Sequence, residues 1–173
     1  LGAYANVFAI ESFIDELAVA AGVDPVEYRL RFLKDERGRD VIAKAAELFG
    51  WSKWQKKDGR GRGIGFAKYK NIAGYCAVAL EVEVNKRNGR IRVLRAAAAA
   101  DSGHIVSPDG VRNQIEGGMV QATSLTLLES GRFDEGIMRA VDYADYPIID
   151  FIDTPKIQSH LIDRPQLPPL SQL

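Results

Sequence analysis

Hydrophobic positions recur at helical spacing over residues 7–21, where Phe13, Leu17 and Ala21 fall with Ile10 and Ile14, and Glu11, Asp15 and Glu16 are turned away. Gly22 supplies a C-terminal stop. Asp24-Pro25-Val26-Glu27 reads as a capping box with proline at the first helical position, which predicts a second helix to about Leu33. Asp40 to Phe49 repeats the amphipathic pattern and is closed by Gly50. From Tyr75 the period changes to two. Cys76, Val78, Leu80, Val82 and Val84 share one face of a predicted strand, with Glu81 and Glu83 on the other. Asn85-Lys-Arg-Asn-Gly89 is a turn, and Arg90 to Ala100 returns as the partner strand.

Ser107-Pro108-Asp109 can cap a helix over residues 109–129, which lacks a polar face between Ile115 and Leu128 and is therefore expected to be buried. Beyond it, residues 132–145 are polar with scattered aromatics. Tyr146 to Ile152 reads as a short strand, Lys156 to Ile162 as another, and Arg164-Pro-Gln-Leu-Pro-Pro169 as a loop. The elements add up to an α+β fold: N-terminal helices, a hairpin in a mixed or antiparallel sheet, and a long buried helix packed on it. A polar, basic connection carrying Trp51 and Trp54 separates a helical part (1–52) from the sheet and buried helix (61–173). Gly59-Arg-Gly-Arg-Gly-Ile-Gly65 within it fails the spacing of a dinucleotide fingerprint and reads as a loop feeding a strand.

The candidate chemistry sits on the predicted long helix. Gln114, Gly117, Gly118 and Gln121 fall at i, i+3, i+4 and i+7, so two side-chain amides flank a strip without side chains. A glycine inside a helix costs roughly 1 kcal/mol against alanine, so the adjacent pair calls for a close neighbour. That neighbour is either another helix or strand seated in the groove, or a polar ligand that uses Gln114 as donor and acceptor at once.

Composition narrows the options. The 173 residues carry 23 basic and 23 acidic side chains, which removes any general electrostatic case for nucleic acid or an anionic membrane surface. The basic cluster Lys53 to Arg62 is local and reads as a solvated loop. A single cysteine, Cys76, excludes an internal disulfide, iron–sulfur or Cys-rich zinc site in this chain and reads as a small core residue. His104 and His160 are far apart, which leaves no metal-binding histidine spacing and no metal ligands to nominate. No apolar run reaches the roughly 18 residues of a membrane span. Leu1-Gly2-Ala3 opens the chain without methionine, as in a fragment.

Phe8-Ala-Ile-Glu-Ser-Phe-Ile-Asp-Glu-Leu-Ala18, Gly22-Val-Asp-Pro-Val-Glu-Tyr-Arg29, Val82-Glu-Val-Asn-Lys-Arg-Asn-Gly89, Asp101-Ser-Gly103 and Asn113-Gln-Ile-Glu-Gly-Gly118 together resemble the large subunit of the molybdenum hydroxylases. These are the xanthine dehydrogenase and aldehyde oxidase superfamily. Within it, the chain looks most like the isoquinoline 1-oxidoreductase type of large (β) chain, and Asp163-Arg-Pro-Gln-Leu-Pro-Pro-Leu170 fits that branch too. The resemblance implies part of a molybdopterin-binding domain. It also implies an intact subunit that holds molybdopterin, in bacteria usually as the cytosine dinucleotide, and hydroxylates an aromatic N-heterocycle or an aldehyde with oxygen from water. Electrons would leave through two [2Fe–2S] clusters on a small partner subunit. In such enzymes a glutamate acts as the general base.

By the same resemblance Gln114 matches the glutamine that hydrogen-bonds the cofactor, with Gly117, Gly118 and Gln121 as accompanying cofactor-binding positions. Glu116 is expected to be a structural acid. After Leu170 the pattern calls for a glycine-rich turn carrying the glutamate, whereas the sequence reads Ser171-Gln172-Leu173. None of Glu11, Glu27, Glu47 or Glu129 lies in the matching motif, so no catalytic residue is assigned. The isolated chain is expected to be inactive, to need the remainder of its subunit, and to self-associate through exposed apolar surface. Compartment stays open between bacterial cytoplasm and periplasm. The alternative is a non-catalytic assembly or protein-interaction module derived from this family.

Overall fold

The computed structural model describes residues 2–70 and 72–170. Ser171 to Leu173, where the resemblance would run into the glutamate-bearing turn, lie outside the described residues. In chain order the elements are α1 (Gly2–Ala20), α2 (Pro25–Phe32), α3 (Glu36–Phe49), a 3-10 turn (Trp51–Lys53), β1 (Arg60–Tyr69), β2 (Gly74–Val84), β3 (Ile91–Asp101), α4 (Pro108–Leu127), β4 (Phe133–Asp134), β5 (Ile137–Met138) and β6 (Lys156–Leu161). The main sheet has the order β1-β2-β3-β6, with β1, β2 and β3 successively antiparallel and β6 parallel to β3. A parallel neighbour requires a crossover. α4 and the irregular stretch after it supply that crossover, and the result is an α+β fold with a mixed sheet.

Local signals set the helix ends. Gly22, at φ +64°, closes α1, with Val23 N–H donating to the Ala18 carbonyl at 3.0 Å. Asp24 accepts from the N–H of Val26 at 2.9 Å to open α2, but Glu27 pairs with Arg31 at 2.7 Å instead of returning to the cap. α3 starts four residues before the predicted Asp40 and ends, as expected, at Gly50. β1 begins inside the glycine-rich segment rather than after it. No strand forms over Tyr146–Ile152, whereas the expected last strand is present as β6.

The core lies between α3 and the sheet. Val41, Ile42, Ala45 and Phe49 of α3 pack on Tyr75, Ala77, Ala79, Ala97 and Ala99, and Trp51 from the supposed junction joins the same cluster. The helical part and the sheet therefore share one core. This corrects the face assigned to β2: the buried side is the one carrying Tyr75, Ala77, Ala79 and Glu81, while Cys76, Val78, Leu80 and Val82 are only half-buried opposite. Small side chains win the covered face because Ala77 pairs with Ala99 and Ala79 with Ala97, making a flat floor on which a helix with bulky residues can sit. Glu81 tolerates that side because Arg95 Nε donates to it at 2.8 Å.

Two helices depart from the expected burial. In α1 the inner face carries Val7, Glu11, Ile14, Asp15 and Ala18, whereas Phe13 is 57 % exposed and Ile10 and Leu17 also face out. Arg29 of α2 is the reason: only 4 % exposed, it donates to Glu11 at 3.0 Å and to Asp15 at 2.7 Å, drawing the acidic side of α1 inward. α4, expected to be buried, lies on β6 and β3 along Val111, Ile115, Met119, Val120 and Thr123, and only Ser124 is fully buried. It covers one side of a two-strand strip, so a single stripe is enough.

Candidate functional site

A cleft of about 1000 Å³ opens where the N-terminal half of α1, the β1–β2 end of the sheet, the loop after β3 and the first turns of α4 converge. Its walls are mostly apolar, with Tyr4, Val7 and Phe8 on one side and Ile105, Val111 and Ile115 on the other. The polar groups reaching it include Ser102, His104, Ser107 and Gln114.

Gln114 lines the cleft from the second turn of α4. Gly117, Gly118 and Gln121 do not line it, but they continue the same exposed face along the helix. A Cβ built on Gly117 or Gly118 would meet nothing within 4 Å among the described residues, so no described segment occupies the glycine groove. The first turn of α4 opens toward the cleft at Ser107, Gly110 and Val111. Ser107 holds the N-cap position but makes no side-chain capping bond, contrary to the expected cap.

Cys76 also lines this cleft, half-buried rather than in the core, and burial pushes its thiol up to about 11. His104 enters from the loop, and its Nδ1 is buried without a hydrogen bond among the described residues, 3.5 Å from Asp163 Oδ1. That carboxylate instead accepts from the N–H of Ile105 at 2.9 Å. Neither the cleft position of His104 nor the contact with Asp163 is visible in sequence, because the two lie nearly sixty residues apart.

The acidic residues weighed for catalysis are engaged elsewhere. Glu11 holds Arg29 and accepts from the N–H of Phe66 at 2.9 Å, Glu27 pairs with Arg31, Glu47 with Lys44, and Tyr146 donates to Glu129. Glu116 accepts from Ser159 Oγ at 2.6 Å, tying α4 to β6. None of them lines the cleft. Among the described residues no group of three or more His, Cys, Asp or Glu side chains could hold a metal ion, and no helix is long and apolar enough to cross a membrane.

Residues 28–155 match the family described as molybdopterin cofactor-binding domain. The chain belongs to that family. It is 38 % identical to a subunit of nicotinate dehydrogenase from Pseudomonas putida, over 98 % of its own length and 16 % of that protein. The beta subunit of isoquinoline 1-oxidoreductase from Brevundimonas diminuta is 31 % identical over 92 % of this chain and 20 % of its own length. In three dimensions the fold resembles quinoline 2-oxidoreductase from Pseudomonas putida 86, with a TM-score of 0.51 and 31 % identity over 55 % of this chain and 12 % of that one. The chain thus spans about a fifth or less of the curated relatives it matches. These relatives are oxidoreductases, and the cleft and α4 up to Leu127 lie largely within the matched residues.

Proposed function

We propose that this molybdopterin-binding domain is part of the large subunit of a molybdenum hydroxylase that hydroxylates an aromatic N-heterocycle, with aldehydes as the other substrate class. The observation that carries the reading is Gln114 standing in the cleft at the head of a bare glycine strip. The names of the relatives, built on nicotinate, isoquinoline and quinoline, support a heterocyclic substrate.

The residues present fit such a cofactor. An amide supplies two donors and an acceptor at one point, as a polar ring system requires. Gly117 and Gly118 leave the helix backbone uncovered, so a rigid group can lie against it. Gln121 repeats the amide at i+7, about 10 Å further along the helix. The cleft lies at the upper end of the range of about 300–1,000 Å³ typical of ligand sites. When bound, the molybdenum cofactor supplies the oxygen-transfer and two-electron redox chemistry. The part played by this chain is to bind and orient: Gln114 fixes one edge of the group, the glycines set its approach, and the apolar walls limit water.

Among the described residues no carboxylate is free in the cleft to take a proton, and the general base in this reading comes from another part of the subunit. The domain alone is inactive, and the [2Fe–2S] clusters belong to a small partner subunit. The cytosine dinucleotide is the form of cofactor we favour.

Elemental analysis for molybdenum tests this, on the chain alone and on the chain co-expressed with the remainder of its subunit and the iron–sulfur partner. Metal is expected only in the assembly, and Gln114→Ala should lower its occupancy there. Stoichiometric molybdenum on the isolated chain would overturn the claim of dependence. A folded assembly without molybdenum would favour a non-catalytic interaction module.

A further inference from the structure

At the end of β3, on the wall of the cleft, the side chain of Asp101 is fully buried and meets donors from three separate parts of the chain. Arg37 Nε of α3 donates to Oδ2 at 3.0 Å, Arg164 Nε beyond β6 donates to the same oxygen at 2.8 Å, and Gly103 N–H donates to Oδ1 at 3.0 Å. Arg37 also reaches the Ile72 carbonyl in the β1–β2 turn at 2.6 Å, and Arg164 pairs with Asp40 of α3. Two guanidiniums and two carboxylates thus balance in charge while joining four elements. Isolated buried ion pairs add little net stability over apolar packing, so a cluster of this kind is better explained by the geometry it imposes.

The segment it holds has few other means of attachment. Residues 163–170 contain Pro165, Pro168 and Pro169, which have no N–H for a strand ladder. Among the described residues its other ties include the N–H of Arg164 on the Gly103 carbonyl at 3.1 Å, the Asp163 carboxylate on the N–H of Ile105, the Pro168 carbonyl seated on Gly103 and Leu170 beside Gly74. At φ +75° and against that carbonyl, residue 103 has no room for a Cβ, which would collide with the Pro168 oxygen. By this seating Pro169 and Leu170 become part of the cleft wall, near Gly74.

We infer that Asp101, with Arg37 and Arg164, is a clamp that positions the proline-rich segment 163–170 as one wall of the cofactor cleft. Its consequence for turnover rests on the function proposed above, and the clamp itself does not. These are positioning residues: they hold the wall through their bonds to one another, to the Gly103 N–H and to the Ile72 carbonyl.

Because Asp101→Asn leaves two guanidiniums facing a neutral group in the core and can unfold the chain, the deciding variant is the more exposed Arg164→Gln. Two readouts apply to the chain as it stands: hydrogen exchange over residues 163–170, and the labelling rate of Cys76, the only thiol and a lining residue of the same cleft. With circular dichroism unchanged, labelling and exchange in Arg164→Gln are expected to rise about tenfold, the factor that about 1.4 kcal/mol of lost local stability produces. Arg164→Lys, which keeps the charge, should recover most of the protection. Wild-type labelling and exchange in Arg164→Gln would overturn the clamp.

In the co-expressed assembly, Arg164→Gln should lower kcat with molybdenum occupancy and KM kept. A fall in occupancy equal to the fall in kcat would instead reduce Arg164 to a residue for cofactor retention and overturn the positioning role. Loss of protection in Arg164→Gln, alongside a wild-type assembly that holds no molybdenum, would support the clamp and remove the proposed function.

Discussion

α1 and α3 both carry apolar residues at helical spacing, yet they settle with opposite sides inward. α3 buries Val41, Ile42, Ala45 and Phe49 on the alanine floor of β2 and β3. α1 is held instead by Glu11 and Asp15 on the buried Arg29 of α2, and by Glu11 on the N–H of Phe66 in the edge strand β1. Its Phe8 is 72 % exposed, and Tyr4, Ile10, Phe13 and Val19 join it on the surface. Amphipathic spacing says that a face will be covered and not by what. α3 finds its cover within this chain, whereas α1 leaves these large apolar side chains exposed.

The contrast is broken most sharply at Arg29. Arg29→Ala leaves two carboxylates without their counter-charge, and unfolding in urea is expected to show a loss of about 3–5 kcal/mol, toward the lower figure because Asp15 is partly solvated. An unchanged midpoint would mean that α1 is held by its apolar residues after all. Ile42→Ala should cost about 2–5 kcal/mol by cavity formation in the α3 core, read from the same urea titration.

Acid titration sharpens the comparison by a smaller effect. Burial opposes ionisation of Asp101, but hydrogen bonds from Arg37, Arg164 and Gly103 outweigh it and hold the carboxyl below the usual range. Asp35 is lowered in the same way: burial opposes, and bonds from Lys68, Tyr75 and Gly38 prevail. A folded-state value below the unfolded value of about 3.9 contributes stability that is present above that pH and is lost as pH falls through the folded value. Thermal stability should therefore fall as pH drops below about 4, and Asp35→Asn should flatten that part of the profile.

The smallest expected change is at Phe13. Phe13→Ser should shift stability by no more than about 0.5 kcal/mol. It should, however, weaken the concentration-dependent self-association expected of the exposed face, measured by sedimentation velocity. Equal association in wild type and variant would place any self-contact elsewhere.

Much of the fold was legible where a signal is local. Gly22, Asp24 and Gly50 mark helix ends through backbone geometry that neighbouring residues alone decide, and Asn85 to Gly89 does the same for the hairpin. The β2 face was misread because alternation identifies two sides without ranking them. Cys76, Val78, Leu80 and Val82 are the more hydrophobic side, yet the alanines lie under α3. The candidate site divides likewise. Gln114 could be nominated because its helix neighbours are sequence neighbours, whereas the roles of Asp101, Arg164 and His104 arise from contacts about 60 residues apart in sequence.

By itself, then, the sequence determined the helices, the β2–β3 hairpin and the last strand, the helix ends marked by Gly22, Asp24 and Gly50, the single glutamine–glycine face and the family to which the chain belongs, all of which rest on spacing and residue chemistry over a few turns. Tertiary structure alone decided which side of each element is covered. It also decided that Gln114 opens into a cleft while Gly117, Gly118 and Gln121 continue past it, and that a buried aspartate ties three distant segments together. The reason is physical: burial and charge pairing are set by what the chain brings alongside, and that depends on the packing of distant elements rather than on any local pattern.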